Sequence, residues 1–83
     1  MTFDVVLSGV AVRELVQIVS TAEDKQVVLS ASERIRSALT TAPRSRGRHL
    51  SEGLYVYTDE PLRAFFEIDE DEHVVEITSL RPA

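Results

Sequence analysis

The spacing of apolar residues changes once along this 83-residue chain, and the change limits the folds open to it. Up to residue 42 most apolar residues recur at helical spacing, whereas from residue 53 they alternate as in a strand. The exception in the first half is the segment 2–8, whose β-branched and apolar residues predict a first strand. The sequence therefore predicts one strand, then helices, then further strands.

Two successive helices are predicted between residues 10 and 42, which together predict an antiparallel helical hairpin. Thr21 and Asp24 resemble a capping box that begins the second helix. That helix is expected to end at Ala42, because Pro43 disfavours helical geometry in the residue before it. The predicted inward-facing residues are Val12, Leu15, Val16 and Val19 in the first helix, and Val27, Val28, Ala31, Ile35, Ala38 and Leu39 in the second.

Three strands are predicted in the second half, at 53–58, 62–68 and 73–80, with turns between them. An antiparallel meander is the simplest arrangement of three strands joined in this way. On the middle strand the alternation predicts that the even-numbered apolar residues face the helices and that Arg63 points away from them. The predicted fold class is α+β in the order β-α-α-β-β-β, with the helical hairpin on one face of an antiparallel sheet and with residues 1–83 in a single domain.

Charge is distributed unevenly in a chain whose formal net charge is −5. The segment from Arg34 to Ser51 carries five arginines and no acid, whereas eight acids lie between Asp59 and Glu76. A basic patch acts over a Debye length of about 8–10 Å, so it can attract anions even on an acidic protein. Its cluster at 44–48 is therefore either an anion-binding rim or a solvated face. The cluster consists of Arg44, Arg46 and Arg48.

The composition and motifs disfavour several classes of protein. The chain has no cysteine, which excludes a disulfide framework and a thiolate metal site. Its three glycines are scattered and form no phosphate-binding loop, and its histidines and acids lack metal-ligand spacing. The N-terminus lacks the features of a signal peptide, and no apolar run approaches the ~18–20 residues of a membrane span. We therefore expect a cytoplasmic protein without a metal, a cofactor or a membrane contact.

The second half of the sequence resembles the C-terminal sheet of the RelE/ParE superfamily of bacterial toxins. The segments "RHLSEGLYVY", "LRAFFEID" and "VVEITSLR" fill the places of the family's basic residue before a glycine, its arginine-bearing strand and its last strand ending in a basic residue. The predicted strand and helical hairpin before them fit the same order of elements, so the resemblance covers essentially the whole chain. It implies a RelE/ParE-like fold, a role as toxin in a toxin–antitoxin pair, and a cognate antitoxin as partner.

The resemblance also implies roles for individual residues. In the ribonuclease members, basic residues of the sheet and of the loop before it hold an mRNA on the ribosome. Arg63 matches the strand arginine, which would donate hydrogen bonds to the scissile phosphate, and Arg81 matches the basic residue that ends the last strand. Cleavage also needs a proton acceptor and donor, for which His49 is the best candidate, because it is a histidine beside the arginines. The family's basic loop, which would hold the RNA backbone, corresponds to Arg44, Arg46 and Arg48.

Two features of the last strand keep a second function open. Ribonuclease members commonly carry a Tyr or His just beyond this strand, where the present sequence reads Arg81-Pro82-Ala83. Arg81 also has the same parity as Val75 and Ile77, which predicts a position on the core face that its side chain must leave at the strand end. The alternative function is a non-catalytic member of the fold that inhibits a protein target, as the gyrase-directed branch does, or that serves as an interaction module.

Overall fold

The computed structural model describes all 83 residues and shows a five-stranded sheet with helices on one face. The elements are β1 (Asp4–Leu7), α1 (Gly9–Thr21), α2 (Lys25–Ala38), α3 (Pro43–Arg46), β2 (Arg48–Ser51), β3 (Leu54–Asp59), β4 (Leu62–Asp69) and β5 (Val74–Pro82). In space the strands lie in the order β1-β5-β4-β3-β2; β1 runs parallel to β5, and all other neighbours are antiparallel. The predicted α+β class and the order β-α-α-β-β-β are confirmed, with a short helix and an edge strand added before the meander.

The core lies between the helical hairpin and one face of the sheet. Phe66 of β4 is fully buried in a cluster that also contains Ile35 of α2 and Leu39, the residue that caps the end of α2. The alternation predicted for β4 is correct, since Ala64 is also buried while Arg63 is exposed. None of the helices combines the length and the apolar character that crossing a membrane requires.

The inward-facing stripe predicted for α1 is only partly correct. Leu15 and Val19 pack on the core, but Val12 and Val16 are 47% and 63% exposed. The buried residue of this helix is Ala11, which lies near the helix start beside the Ser8 cap. Apolar residues occur on more than one side of α1, so two different faces of this helix are consistent with helical spacing. The spacing alone therefore does not determine which face packs on the core.

The boundaries of α2 differ from the prediction for reasons of capping. Asp24, and not Thr21, is the N-cap: its carboxylate accepts hydrogen bonds from the backbone N–H groups of the second and third helical residues, at 3.1 and 3.3 Å. The helix ends at Ala38 instead of Ala42. Pro43 therefore does not end α2; it is the first residue of α3, a position where its missing N–H is no loss.

The segment 43–51, which contains the arginine cluster at 44–48, is only partly a loop. Its first half forms the single turn α3, and its second half forms β2, an edge strand that pairs antiparallel with β3. In this register Arg48 is opposite Val56, and His49 is opposite Tyr55. Successive residues of a strand point to opposite faces, so Arg48 and His49 lie on different sides of the sheet.

Candidate nucleic-acid interface

The register between β4 and β5 shifts by one residue near the middle of the pair. Phe66 is opposite Ile77, but Phe65 is opposite Ser79, which leaves Thr78 as the extra residue of a β-bulge. Because side chains alternate with a period of two, one extra residue reverses the faces to which all later residues of β5 point.

Arg81 lies beyond this bulge, so its backbone position belongs to the face of the sheet away from the helices, while its guanidinium lies at the sheet edge, 3.4 Å from Glu14 of α1. Its neighbour Leu80 is 2% exposed and belongs to the core. The expectation that Arg81 shares the face of Val75 and Ile77 is thus wrong, because alternation was counted through a position where the strand is irregular. In the observed register Arg81 is directly opposite Arg63 of β4.

We call the side of the sheet that the helices leave uncovered the open face, and three of the rows that its residues form across the strands concern the site. The basic row contains Thr58, Arg63 and Arg81. The middle row contains Arg48, Val56, Phe65 and Ser79. The acidic row contains Glu67 and Glu76, with Val6 at its end. Arginines thus occupy two neighbouring rows, and carboxylates the third.

Arg63 and Arg81 carry like charges at directly opposite positions, and of the two only Arg81 has a carboxylate partner, Glu14. Like charges directly opposite each other on neighbouring strands destabilise a sheet. Arg63 and Arg48 form no salt bridge in the structure, and no side-chain hydrogen bond compensates them. A phosphate placed between the two guanidinium groups would remove the repulsion and accept hydrogen bonds from both, a geometry for which arginine is well suited.

Glu14 of α1 contacts the end of β5 beside Arg81. One carboxylate oxygen, Oε1, accepts hydrogen bonds from the backbone N–H of Leu80 at 3.0 Å and from the hydroxyl of Ser79 at 2.9 Å. The other oxygen, Oε2, lies 3.4 Å from Nη2 of Arg81. The pKa of Glu14 is lowered, chiefly by the hydrogen bond from Leu80, so the carboxylate stays charged below the usual range of a glutamate.

Arg44 lies on the helix side of the sheet and already has partners. It donates a hydrogen bond from Nη1 to the Tyr55 hydroxyl at 2.9 Å and one from Nε to the Glu70 carboxylate at 3.1 Å. The Glu70 carboxylate raises the pKa of Arg44. Tyr55 packs in the core cluster and stacks on Phe66, with ring centroids 5.6 Å apart, which fixes this group on the helix side.

Arg46 and His49 also lie on the helix side. Arg46 borders a shallow groove of about 420 Å³ next to Tyr57. The His49 ring stands edge-on to Tyr55 at 5.1 Å between centroids. Of the residues predicted to act together, the structure brings Arg48, Arg63 and Arg81 to the open face and places the others behind the sheet.

The acidic end of the sheet is unsuited to phosphate. A groove of about 570 Å³ there is bordered by five carboxylates from β4, β5 and the turn between them: Glu67, Asp69, Glu70, Asp71 and Glu76. No three of the chain's His, Asp and Glu side chains converge in a cluster that could hold a metal ion. The charge of the open face therefore directs an anion toward the basic row.

Sequence reasoning missed Glu14 as a member of this site. In the sequence it is one polar residue on a helix, 65 positions from Ser79 and 66 from Leu80. No local motif relates it to the last strand, since the contact depends on α1 lying beside β5. Only the tertiary arrangement identifies it.

Comparison with solved structures places this fold among chains of toxin–antitoxin complexes. The chain aligns over its full length with 93% of a chain in the toxin–antitoxin complex RelBE2 from Mycobacterium tuberculosis, at a TM-score of 0.83 and 17% identity. It aligns over 99% of its length with 96% of a chain in the archaeal RelE–RelB complex from Pyrococcus horikoshii OT3, at 0.72 and 19%. A chain of the chromosomal ParDE system from P. aeruginosa matches at 0.69 and 18%, with 98% and 96% of the two chains covered.

These likenesses extend over 98–100% of the 83 residues, so they define the fold class of this chain. It is the RelE/ParE-like toxin fold, and the fold implied by the sequence resemblance is confirmed. No family model matches the sequence, and no curated protein matches it significantly.

Proposed function

We propose that this protein is the toxin of a toxin–antitoxin pair and that it binds RNA through the open face. The observation that carries the proposal is the direct pairing of Arg63 with Arg81 on that face. Arg48, in the next row and two strands away from Arg63, adds a third positive charge to the same face, which would meet another phosphate of the same RNA strand. Phe65 lies in the middle row and is only half-buried, so its ring is available for stacking on a base.

The finer form of the proposal is cleavage of ribosome-bound mRNA. Arg63 and Arg81 would stabilise the extra negative charge that develops on the phosphate during attack by the 2′-OH. Neither guanidinium can accept the proton of that hydroxyl, because arginine stays protonated in proteins. His49, the predicted proton-transfer residue, lies on the other side of the sheet from both arginines. The geometry therefore supports RNA binding more strongly than cleavage.

The partner that we propose is a cognate antitoxin. Two of the similar solved structures are complexes that contain RelB or are named toxin–antitoxin complexes. In the present chain, the unpaired Arg48 and Arg63 favour an acidic antitoxin segment that becomes ordered on contact with the open face. Such a segment would compete with RNA for the same arginines, and both proteins would meet in the cytoplasm.

A second candidate function is inhibition of a protein target such as gyrase. It is favoured by apolar side chains that the fold leaves uncovered on the helical hairpin. Val12, Val16 and Val27 are 47%, 63% and 48% exposed, respectively. Val12 and Val16 lie one turn apart on α1, and a contiguous exposed apolar surface is typical of protein-binding sites. In this case the hairpin, and not the open face, would carry the activity.

Growth of bacteria that express the protein tests the proposal. Expression alone should slow growth, and co-expression of a neighbouring antitoxin gene should restore it. Replacing Arg63 and Arg81 with Ala should abolish the effect, whereas the matched replacement of Arg13 and Arg36 on the helices should not. Toxicity that depends on Val12 and Val16 instead would favour the protein-target function. Unimpaired growth at confirmed soluble expression would contradict both toxin functions.

A further inference from the structure

Glu14 is the one acid that forms an ion pair with an arginine of the open face. The other two ion pairs of the structure join Arg34 to Asp59 and Arg44 to Glu70, away from that face. The Glu14 side chain is 22% exposed, while that of Arg81 is 64% exposed. The carboxylate is therefore held in place by the fold through its hydrogen bonds to β5, and the guanidinium is the more exposed partner.

The two oxygens of the Glu14 carboxylate contact different groups. Oε1 accepts both hydrogen bonds from β5, from the Leu80 N–H and the Ser79 hydroxyl, and these need an acceptor but no charge. They join α1 to β5 beyond the point where β1 ends and the sheet edge would otherwise be open. Oε2 faces Arg81, and that contact depends on the negative charge. An amide in place of the carboxylate would keep the hydrogen bonds from β5 and remove the ion pair with Arg81.

We propose that Glu14 is a positioning residue that restrains Arg81 at the sheet edge until an RNA phosphate displaces it. The inference rests on the proposed function of the open face. An incoming phosphate meets a free guanidinium at Arg63, but it must compete with a built-in carboxylate for Arg81. The competition lowers affinity for an RNA that engages both arginines, and it leaves the binding of an anion at Arg63 alone unaffected.

The substitution Glu14→Gln separates the charge from the acceptor. Binding of a fluorescently labelled single-stranded RNA, measured by anisotropy at fixed salt, should tighten by about two- to fivefold, the range of an exposed ion pair. In the background of Arg81→Ala the same substitution should change nothing, since no guanidinium is left to release. Glu67→Gln is the matched control, because it removes one charge from the open face without contact to Arg81. Any effect of that control should persist in the Arg81→Ala background.

A structural role of Glu14 alone predicts a different pattern. Glu14→Ala removes the Oε1 acceptor and should lower the thermal midpoint, while Glu14→Gln should preserve most of it. Unchanged or weaker RNA binding by a folded Glu14→Gln protein would overturn the inference and leave the proposed function standing. So would a gain that survives in the Arg81→Ala background. No RNA binding by the wild type and by Glu14→Gln alike would overturn the inference and the proposed function together.

Discussion

The substitution Gly47→Ala should destabilise the protein although the backbone at this position accepts alanine. Gly47 lies between α3 and β2 with a φ of −87°, an ordinary value for any residue. A Cβ at this position would lie 2.9 Å from Cε1 of Phe66, and closer still to Cζ. Phe66 is fully buried in a close-packed core, so its ring has no free space into which to move. Overpacking of this kind costs about 1–3 kcal/mol, out of a total stability of roughly 5–15 kcal/mol for a domain.

Urea denaturation followed by circular dichroism measures the loss. Gly9→Ala is the control, because a Cβ there meets only the end of the Arg13 side chain at 3.6 Å. It should change the free energy of unfolding by less than about 0.5 kcal/mol. Leucine has no atoms equivalent to Cε1 and Cζ of phenylalanine, so combining Gly47→Ala with Phe66→Leu should lose less than the sum of the single losses. Wild-type stability of Gly47→Ala, or strict additivity in the double variant, would refute the close contact between Gly47 and Phe66.

Three further predictions concern the core, the helix cap and acid stability, and all are measured as free energies of unfolding in urea. Phe66→Ala should cost about 3–5 kcal/mol and Phe65→Ala clearly less, since Phe65 is half-buried on the open face; equal losses would contradict the register of β4. Asp24→Ala should cost about 0.5–2 kcal/mol and Thr21→Ala less, because Asp24 caps α2. A larger loss for Thr21→Ala than for Asp24→Ala would indicate that Thr21 is the cap. Asp59→Asn should destabilise the protein at neutral pH, because the hydrogen bond from Arg34 lowers the pKa of Asp59 below its ordinary 3.8. A lowered pKa contributes stability above the unfolded value and loses it as the pH falls, so the difference from wild type should shrink below about pH 4, and a constant difference would contradict the ion pair.

The sequence predicts the sheet well where one face of a strand is wholly apolar. On β4 the inward positions are all apolar and the outward ones include Arg63 and Glu67, so only one orientation buries the core. The β5 sequence reads "VVEITSLRP", and its alternation fails between Ile77 and Leu80, where the bulge lies. A bulge leaves no clear trace in a single sequence, so the face of Arg81 could not be predicted by counting.

In the candidate site, residues that are close in sequence are not the ones that lie together in space. The arginines of the segment 42–50 are close in sequence, but the turn of α3 and the alternation of β2 distribute them over two sides of the sheet. Arg63 and Arg81 are 18 positions apart and become neighbours through strand pairing. Charge clustering in the sequence indicates a kind of feature to look for, but only the register determines which arginines lie together.

The salt dependence of RNA binding is the most direct test of the proposal that the open face binds phosphate. If Arg48, Arg63 and Arg81 each meet one phosphate of a single-stranded RNA, the logarithm of the binding constant should fall with the logarithm of salt concentration with a slope of about −2. Replacing these three with Gln should abolish that slope. The matched replacement of Arg36, Arg44 and Arg46, which removes the same charge from the helix side, should leave it near −2. A slope that persists in the open-face variant and disappears in the helix-side variant would contradict the proposal. It would place the phosphate-binding site on the helix side of the sheet.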